Sequence, residues 1–384
     1  MRFSVDAHAI GRHLTGNEVY VRNLLQGFAS LDQNSEFIAY LSANIGGAAD
    51  CVPTRFRRRE VSGNSFLRLG VDLSRRVRED RPDLLHVQYT APLACPVPVI
   101  VSVHDISFLE HPEFFSWQRA VQLRITVKQT MANAARVLTP SEFSRSAILR
   151  AYPLDPARVE VVPIAVSPNF RPVSRDLAAR KVREAFQINT PYIVNVGDLQ
   201  PRKNQIGLID AFEALIHQNP GLPHGLVIVG KNTWFARHVH ERAAKSPLAS
   251  RIHFTNWVSD EDLVWLYNAS DCFVFPSFYE GFGLPILEAM ACGRAVACSG
   301  TSSIPEVADS AALLFDPGSP GEIVRALRDL LLDHELRARM ERLGQQRASL
   351  FTWEHTARRT LQIYYEVAGA KQLTATRSTA VVRR

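Results

Sequence analysis

The chain has 384 residues, a formal net charge of +6, and 46% hydrophobic residues. This length exceeds what one hydrophobic core usually supports and predicts two domains. No run of 18 apolar residues is present, which argues against a membrane-spanning helix. Five scattered cysteines without C-x-x-C spacing argue against a disulfide framework and a cysteine-bound zinc. Because the N-terminus lacks a signal-peptide pattern, we expect a cytoplasmic protein.

The first part of the chain alternates predicted strands with predicted helices. The strands are expected at residues 2–6, 37–41, 84–88, 97–103, 137–138 and 159–163. The helices are expected at residues 18–31, 66–80, 116–133 and 141–151. This alternation predicts a parallel sheet with helices on both faces.

A second alternation follows residues 163–172, which contain three prolines and are predicted to be a linker. Its strands are expected at residues 192–196, 226–229, 252–254, 272–275, 295–298 and 312–315. Its helices are expected to begin near Asn204, Trp234, Asp260, Leu284 and Pro320. The sequence therefore predicts an α/β protein of two Rossmann-like, doubly wound domains facing a cleft. Residues 371–384 hold no aromatic residue and are expected to be a disordered tail.

The positive surplus lies in the first part of the chain, at residues 55–59 and 68–81. The second stretch places Leu69, Leu73 and Val77 at i, i+4 spacing, which predicts an amphipathic helix. This basic surface could contact anionic lipid or a phosphate-bearing acceptor, or it could be an ordinary solvated face. Nucleic acid is not an expected partner, since no binding motif accompanies the charge.

The most informative stretch is residues 278–293, which follow a predicted buried strand. Pro285 indicates the first turn of a helix, and Gly281 and Gly283 bring backbone N–H groups close to a ligand. Such a loop before a helix suits sugar hydroxyls and phosphate. Glu280 lies in the loop, and Glu288 is expected in the first helical turn, although their spacing alone is weak evidence.

Residues 197–204 also follow a strand and open a helix, with Arg202 and Lys203 side by side. The planar guanidinium and the mobile ammonium together suit a diphosphate. Cations at a helix start are opposed by the helix dipole, so their presence there favours a binding function.

Two shorter segments in the first part follow predicted strands. His104 and Asp105 end one strand, where the carboxyl end of a parallel sheet would place them in a binding cleft. Gly16 and Asn17 precede the first predicted helix and would present backbone N–H groups to phosphate, although a plain helix-start turn is the alternative. The aromatic residues Phe114, Phe115 and Trp117 would either line an acceptor or pack a helix.

These segments resemble the motifs of the retaining glycosyltransferases of family 4, which have the GT-B fold. The resemblance covers nearly the whole chain and rests on residues 11–18, 104–105, 197–204 and 280–293. It implies an acceptor-side domain at 1–170, a nucleotide-sugar domain at 171–352, and a helix at 353–370 that crosses back to the first. Family members often have two adjacent glycines where this chain has Gly16 and Asn17.

The resemblance implies a role for each candidate site residue. Arg202 and Lys203 neutralise the diphosphate, and Glu288 takes the ribose hydroxyls. His104 lies near the reacting carbon of the sugar, as a catalytic residue together with Glu280 and the two cations. Sugar hydroxyls are bound by Glu280 and by the loop that contains Gly281, with backbone N–H groups of Phe282, Gly283 and Leu284.

No metal or other cofactor is expected. The run Asp260-Glu261-Asp262 has the appearance of a metal motif, but Ser259 before it and Asp262 fit a helix cap better. Two fixed cations would make a divalent ion unnecessary for the leaving diphosphate.

The expected function is transfer of a hexose from a nucleoside-diphosphate sugar to a polysaccharide or a lipid-linked oligosaccharide. GDP-mannose is the first donor considered, from similarity to bacterial mannosyltransferases and rhamnosyltransferases, and UDP- or dTDP-sugars stay open. The site of action is expected in the cytoplasm, with peripheral membrane contact through the basic domain. The alternatives are a nucleotide-sugar epimerase of the same architecture and an inactive glycan-binding subunit.

Overall fold

The computed structural model describes residues 1–12, 15–43 and 46–381. The chain forms two compact units, one of Met1–Ile164 with Thr352–Arg384 and one of Ala165–Phe351. The change from one unit to the next falls inside the proline-containing segment 163–172, six residues before the predicted boundary at 170.

The first unit contains a parallel sheet of seven strands in the order β3-β2-β1-β4-β5-β6-β7. Its register pairs Phe3 of the first strand with Phe37 on one side and Leu84 on the other. The strands are β1 (Arg2–Asp6), β2 (Glu36–Ser42), β3 (Arg57–Val61), β4 (Leu84–Gln88), β5 (Val99–Ser102), β6 (Arg136–Thr139) and β7 (Val159–Val161).

The helices of this unit connect the strands and cover the sheet. They are α1 (Thr15–Leu31), α2 (Ser65–Leu67), α3 (Leu73–Asp80), α4 (Ser107–Glu110), α5 (Trp117–Asn133) and α6 (Glu142–Ala151). A π-helical turn, Arg68–Asp72, separates α2 from α3, where a single helix was predicted at 66–80. Short 3₁₀ turns lie at Gly46–Cys51, Pro112–Phe114 and Pro156–Arg158.

The arginine-rich segment near residue 57 is the edge strand β3, which sequence analysis missed. Its residues carry charge on both faces, so the alternation of apolar and polar residues that marks a strand is absent. The charges are paired in the fold: Arg57 and Arg59 both lie within 3.4 Å of Asp80, and Arg59 also pairs with Glu79. A charged edge strand also resists pairing with another chain.

The second unit contains a parallel sheet of six strands in the order β10-β9-β8-β11-β12-β13. The strands are β8 (Tyr192–Val196), β9 (Gly225–Val229), β10 (Ile252–Asn256), β11 (Cys272–Phe275), β12 (Ala295–Ser299) and β13 (Leu313–Phe315). The helices are α7 (Arg175–Phe186), α8 (Gln205–Gln218), α9 (Ala236–Ala244), α10 (Asp260–Ala269), α11 (Leu284–Ala291), α12 (Ile304–Ala308), α13 (Pro320–Leu332) and α14 (His334–Ser349). Further 3₁₀ turns lie at Pro201–Lys203, Ala249–Arg251 and Asp309–Ala311.

In each sheet the strand order reverses once, between β1 and β4 in the first unit and between β8 and β11 in the second. Two neighbouring strands therefore send their following loops to opposite faces, which leaves a crevice at their carboxyl ends. Ligands of doubly wound sheets bind at such a crevice.

The last helix, α15 (Trp353–Val381), belongs to the first unit. Tyr364 packs edge-on against Phe3, and its hydroxyl lies 2.6 Å from Nδ1 of the buried His86 in β4. Nε2 of His86 lies 2.8 Å from the Ser102 hydroxyl, so both ring nitrogens have partners. The expected tail from residue 371 begins inside this helix, and residues 382–384 lie outside the described residues.

Within the described residues, no helix has the length and apolarity needed to cross a bilayer.

Tyr364→Phe tests the attachment of α15. The substitution keeps the ring packing but leaves a buried nitrogen of His86 without a partner, so we expect the unfolding free energy to fall by about 1–3 kcal/mol. Chemical denaturation measures this loss. Gln362→Ala on the exposed side of the same helix is the control and should change stability by less than about 0.5 kcal/mol. Equal stability of Tyr364→Phe and the parent protein would contradict the attachment.

Candidate active site

In the second unit, the charged residues of the predicted site lie on the segments that follow β8 and β11. After β8 the chain passes through residues 197–200 into the 3₁₀ turn Pro201–Lys203, and α8 begins at Gln205. After β11 the chain runs through residues 276–283 into α11. Because the two strands are parallel and adjacent, both segments leave the same edge of the sheet.

Arg202 and Lys203 both contact the carboxylate of Glu280. Arg202 Nη1 donates to Glu280 Oε2 at 2.6 Å and to the Tyr279 carbonyl at 2.7 Å. Lys203 Nζ donates to Glu280 Oε1 at 2.7 Å and lies 4.8 Å from the ring centre of Phe275. The three charged side chains are at most 15% exposed. The structure thus brings together three of the four predicted catalytic residues.

The charges of this cluster determine the protonation of Glu280. Burial raises the pKa of its carboxyl, but Arg202 and Lys203 outweigh burial and bring the pKa to about 2. Burial lowers the pKa of Lys203, with Arg202 acting in the same direction and Glu280 opposing both. One carboxylate faces two largely shielded cations, so the cluster is suited to receive a further anion.

The loop that carries Glu280 is fixed by two serines. The Glu280 N–H donates to the Ser302 hydroxyl at 2.9 Å, and the Ser303 hydroxyl donates to the Glu280 carbonyl at 2.9 Å. The Phe278 N–H donates to the Arg202 carbonyl at 2.8 Å, which joins this loop to the turn after β8. The loop at 301–303 therefore supports the site through its hydroxyls.

Gly283 has φ +102 and caps α11, whose first turn contains Pro285 as predicted. The segment Gly281, Phe282 and Gly283 is buried beside Glu280. N–H groups in the first turn of a helix have no partner within that helix, so the start of α11 at Leu284 offers donors to a ligand.

Glu288 lies beyond the first turn of α11, which corrects its predicted position. The helix begins at Leu284, and no acidic residue occupies its first turn. The Tyr267 hydroxyl donates to Glu288 Oε2 at 3.0 Å. Burial, with Asp260 adding to it, raises the pKa of Glu288 to about 7 against the hydrogen bond from Tyr267. This glutamate therefore changes charge near neutral pH, unlike Glu280.

Gly230 is a support of this site that sequence analysis missed. It has φ +155, and a Cβ there would come 2.1 Å from the Gly197 carbonyl oxygen. Gly197 in turn lies against Lys203, since a Cβ built at Gly197 would come 3.1 Å from the Lys203 side chain. The signal available in the sequence was a glycine directly after the strand that neighbours β8.

His104 lies in the first unit, after β5, and is half-buried. Its Nε2 is 3.1 Å from Gln88 Oε1, and its ring packs edge-on against Tyr20 with centroids 4.8 Å apart. Burial lowers the pKa of His104 to about 4, although Asp105 opposes this shift, so the imidazole is neutral at neutral pH. Asp105 accepts from the Ser107 N–H at 2.9 Å and orients the start of α4.

Gly16 and Asn17 are inside the first turn of α1 rather than in a loop before it, because that helix begins at Thr15. The Asn17 carbonyl accepts from Gln88 Nε2 at 3.2 Å, so Gln88 joins α1 to His104. Sequence analysis missed Gln88. The feature that could have identified it is its position as a polar residue at the end of a buried strand. The motif at 11–18 includes residues 13 and 14, which lie outside the described residues.

The predicted helix cap at Ser259 is confirmed, since its hydroxyl accepts from the Asp262 N–H at 3.1 Å and donates to Asp262 Oδ2. Over residues 1–12, 15–43 and 46–381, no three His, Cys, Asp or Glu side chains gather as a metal-binding group.

Two family models match the chain. "Glycosyltransferase Family 4" matches residues 14–170, and "Glycosyl transferases group 1" matches residues 179–347. The O-antigen chain mannosyltransferase B of Escherichia coli is 33% identical over 266 residues, which are 69% of this chain and 69% of that protein.

Two solved structures have the same architecture. The sucrose-phosphate synthase of Thermosynechococcus elongatus has a TM-score of 0.77 at 19% identity, covering 96% of this chain and 99% of that one. Anabaena Alr3699/HepE, in complex with UDP and glucose, has a TM-score of 0.77 at 20% identity, covering 95% of this chain and all of that one.

The two parallel sheets and these likenesses define a glycosyltransferase of the GT-B fold. Within that class, the chain belongs to glycosyltransferase family 4, as the sequence motifs indicated.

Glu288→Gln tests the raised pKa of Glu288. The pKa of this carboxyl is 4.5 in the unfolded chain and about 7 in the folded protein. Its contribution to the stability of the fold is therefore complete below about pH 4.5 and is lost as the pH rises to 7. The unfolding free energy of the parent protein minus that of the variant should therefore fall by on the order of 2–3 kcal/mol between about pH 5 and pH 8. Urea denaturation across this range measures it. A pH-independent difference would show that Glu288 has an ordinary pKa.

Gly230→Ala tests the close approach of Gly230 to Gly197. The added methyl group meets a carbonyl and forces a strained backbone conformation, so we expect a loss of at least about 2 kcal/mol of stability. Thermal unfolding measures the loss. Gly221→Ala, where a Cβ has no neighbour within 4 Å, is the matched control. If the two variants melt together, the close approach does not exist.

Proposed function

We propose that this glycosyltransferase is a retaining hexosyltransferase that uses a nucleoside-diphosphate sugar without a metal ion. The observation that carries the proposal is the pair Arg202 and Lys203 at the β8–β11 crevice, largely shielded from solvent and hydrogen-bonded to Glu280. Transfer leaves a diphosphate, and its developing charge must be stabilised by groups already in place. Two cations held by one carboxylate provide that charge at the site before the donor binds.

In the ligand-free state, Glu280 holds the two cations in position. When the donor binds, the phosphate oxygens take the hydrogen bonds of Arg202 and Lys203. Glu280 then binds donor-sugar hydroxyls, together with the N–H groups of Phe282, Gly283 and Leu284. Glu288 binds the ribose hydroxyls.

The chemical step proceeds on one face of the sugar. The glycosidic C–O bond breaks, and its electron pair goes to the diphosphate oxygen, where Arg202 and Lys203 stabilise it. The acceptor hydroxyl attacks the same face and gives its proton to the departing phosphate oxygen. No side chain stands out in the sequence as a nucleophile for the opposite face, which supports this route.

The first unit contributes neutral and backbone groups to this proposal. Because His104 is uncharged at neutral pH, it serves as a hydrogen-bonding partner of the donor sugar near the reacting carbon. The N–H groups of Gly16 and Asn17 belong to the first turn of α1, and we assign them to phosphate binding. Gln88 keeps the two groups together.

The donor we propose is GDP-mannose, and the acceptor a polysaccharide or lipid-linked oligosaccharide. The support is the 33% identity with an O-antigen chain mannosyltransferase over 69% of each chain. We place the reaction in the cytoplasm, at the inner face of the membrane where a lipid-linked acceptor resides.

Lys203→Ala tests the role of the cation pair. We expect the rate of transfer to fall by at least about 10²-fold, because a fixed charge that stabilises the leaving group is lost. The assay is nucleoside diphosphate release from a donor chosen by thermal shift among GDP-, UDP- and dTDP-sugars. Lys245→Ala, on an exposed position of the same unit, is the control. Near-normal turnover of Lys203→Ala, with the circular dichroism spectrum unchanged, removes Lys203 from the site.

Two additions to the same assay test the rest of the proposal. EDTA should leave the rate unchanged, and a strict requirement for a divalent ion would contradict the metal-free mechanism. Product analysis should show a glycosylated acceptor. A free, epimerised nucleotide sugar formed without acceptor would indicate an epimerase instead.

A further inference from the structure

The outward face of α5 carries a line of exposed apolar side chains. Trp117, Val121 and Ile125 are 71%, 43% and 61% exposed and follow one another at i, i+4 spacing. The inward face supplies the core side chains Ala120, Leu123, Val127 and Met131. A helix at a protein surface usually presents polar residues outward, so this face departs from the ordinary pattern.

The same helix is basic and contains no acidic residue. Arg124 and Lys128 are exposed and share the helical face of Val121, and residues 114–141 hold no Asp or Glu. In the part of the chain that the structure describes, no carboxylate pairs with Arg124 or Lys128. This face therefore combines apolar side chains with unneutralised positive charge.

The arginine-rich segments that first indicated a basic surface are different. Arg75 and Arg76 of α3 pair with Asp72 and Glu79, and Arg68 is buried near Asp6. Part of their charge is therefore balanced by neighbouring carboxylates, whereas Arg124 and Lys128 have no carboxylate partner among the described residues. Trp117, for which helix packing and acceptor lining were the alternatives, is exposed on this face.

We propose that the outward face of α5 docks on an anionic lipid surface. A tryptophan with aliphatic neighbours suits shallow insertion among lipid headgroups, and flanking Arg and Lys attract anionic lipid. From Trp117 to Ile125 the line is about 12 Å long, enough for peripheral attachment but not for spanning. The choice of lipid rests on the proposed function, because a lipid-linked acceptor lies at a membrane.

A second group of exposed apolar residues offers a comparison surface. Phe66, Leu67 and Val71 are exposed on the segment from α2 to the π-helical turn. Arg68, the arginine within this segment, is buried near Asp6 rather than exposed, so we do not assign the segment the docking role.

The experiment is vesicle flotation of the full-length protein. The parent protein should float with vesicles of phosphatidylglycerol and phosphatidylcholine, remain unbound with phosphatidylcholine alone, and be released by high salt. Trp117→Ser/Val121→Ser/Ile125→Ser and Arg124→Glu/Lys128→Glu should each lower the bound fraction at least about tenfold. Leu332→Ser/Leu350→Ser, two exposed leucines of the second unit, should float like the parent protein.

Three outcomes would overturn the proposal: no flotation of the parent protein, flotation of the α5 variants at the parent level, or loss of flotation in Phe66→Ser/Leu67→Ser alone. A parent dimer that the α5 variants abolish in size-exclusion chromatography would assign this face to a second copy of the chain. Thermal shift with GDP and UDP separates this inference from the proposed function. A nucleotide shift retained in the α5 variants shows an intact fold, and absence of any shift in the parent protein counts against the donor site only.

Discussion

The ion pairs of Glu280 with Arg202 and Lys203 are the interaction on which the proposed donor site depends. A buried cation pair is unfavourable by itself, since burial and mutual repulsion both oppose the charges. Glu280 offsets this cost with hydrogen bonds of 2.6 and 2.7 Å, and the serine hydroxyls at 302 and 303 fix its backbone. The arrangement keeps two positive groups in place, so in the proposed mechanism they are present before the diphosphate binds.

Each of the two sheets has a crevice at the carboxyl ends of its strands. In each unit the site residues follow strands at or beside the point where the strand order reverses, so neighbouring loops diverge and leave room for a ligand. The second unit places charge there, through Lys203 and Glu280. The first unit places neutral groups there, through His104 and Gln88.

Much of this site could be predicted because its signals are local in sequence. The apolar runs gave β1, β4, β8 and β11 at their observed bounds, and the loop after each strand then located Lys203 and Glu280. The missed features depend on tertiary contact: the charged edge strand β3 has no apolar alternation, and Gly230 matters only because a distant carbonyl approaches it. The pairing of Arg75 and Arg76 with carboxylates is likewise not visible without the fold, so the sequence left open whether this basic stretch binds a ligand or is a solvated face.

A crystal structure with bound GDP or UDP tests the central claim most directly. The account predicts diphosphate oxygens within about 3 Å of both the Arg202 guanidinium and Lys203 Nζ, with Glu280 no longer holding both cations. A diphosphate bound elsewhere, with the ion pairs of Glu280 intact, would contradict it.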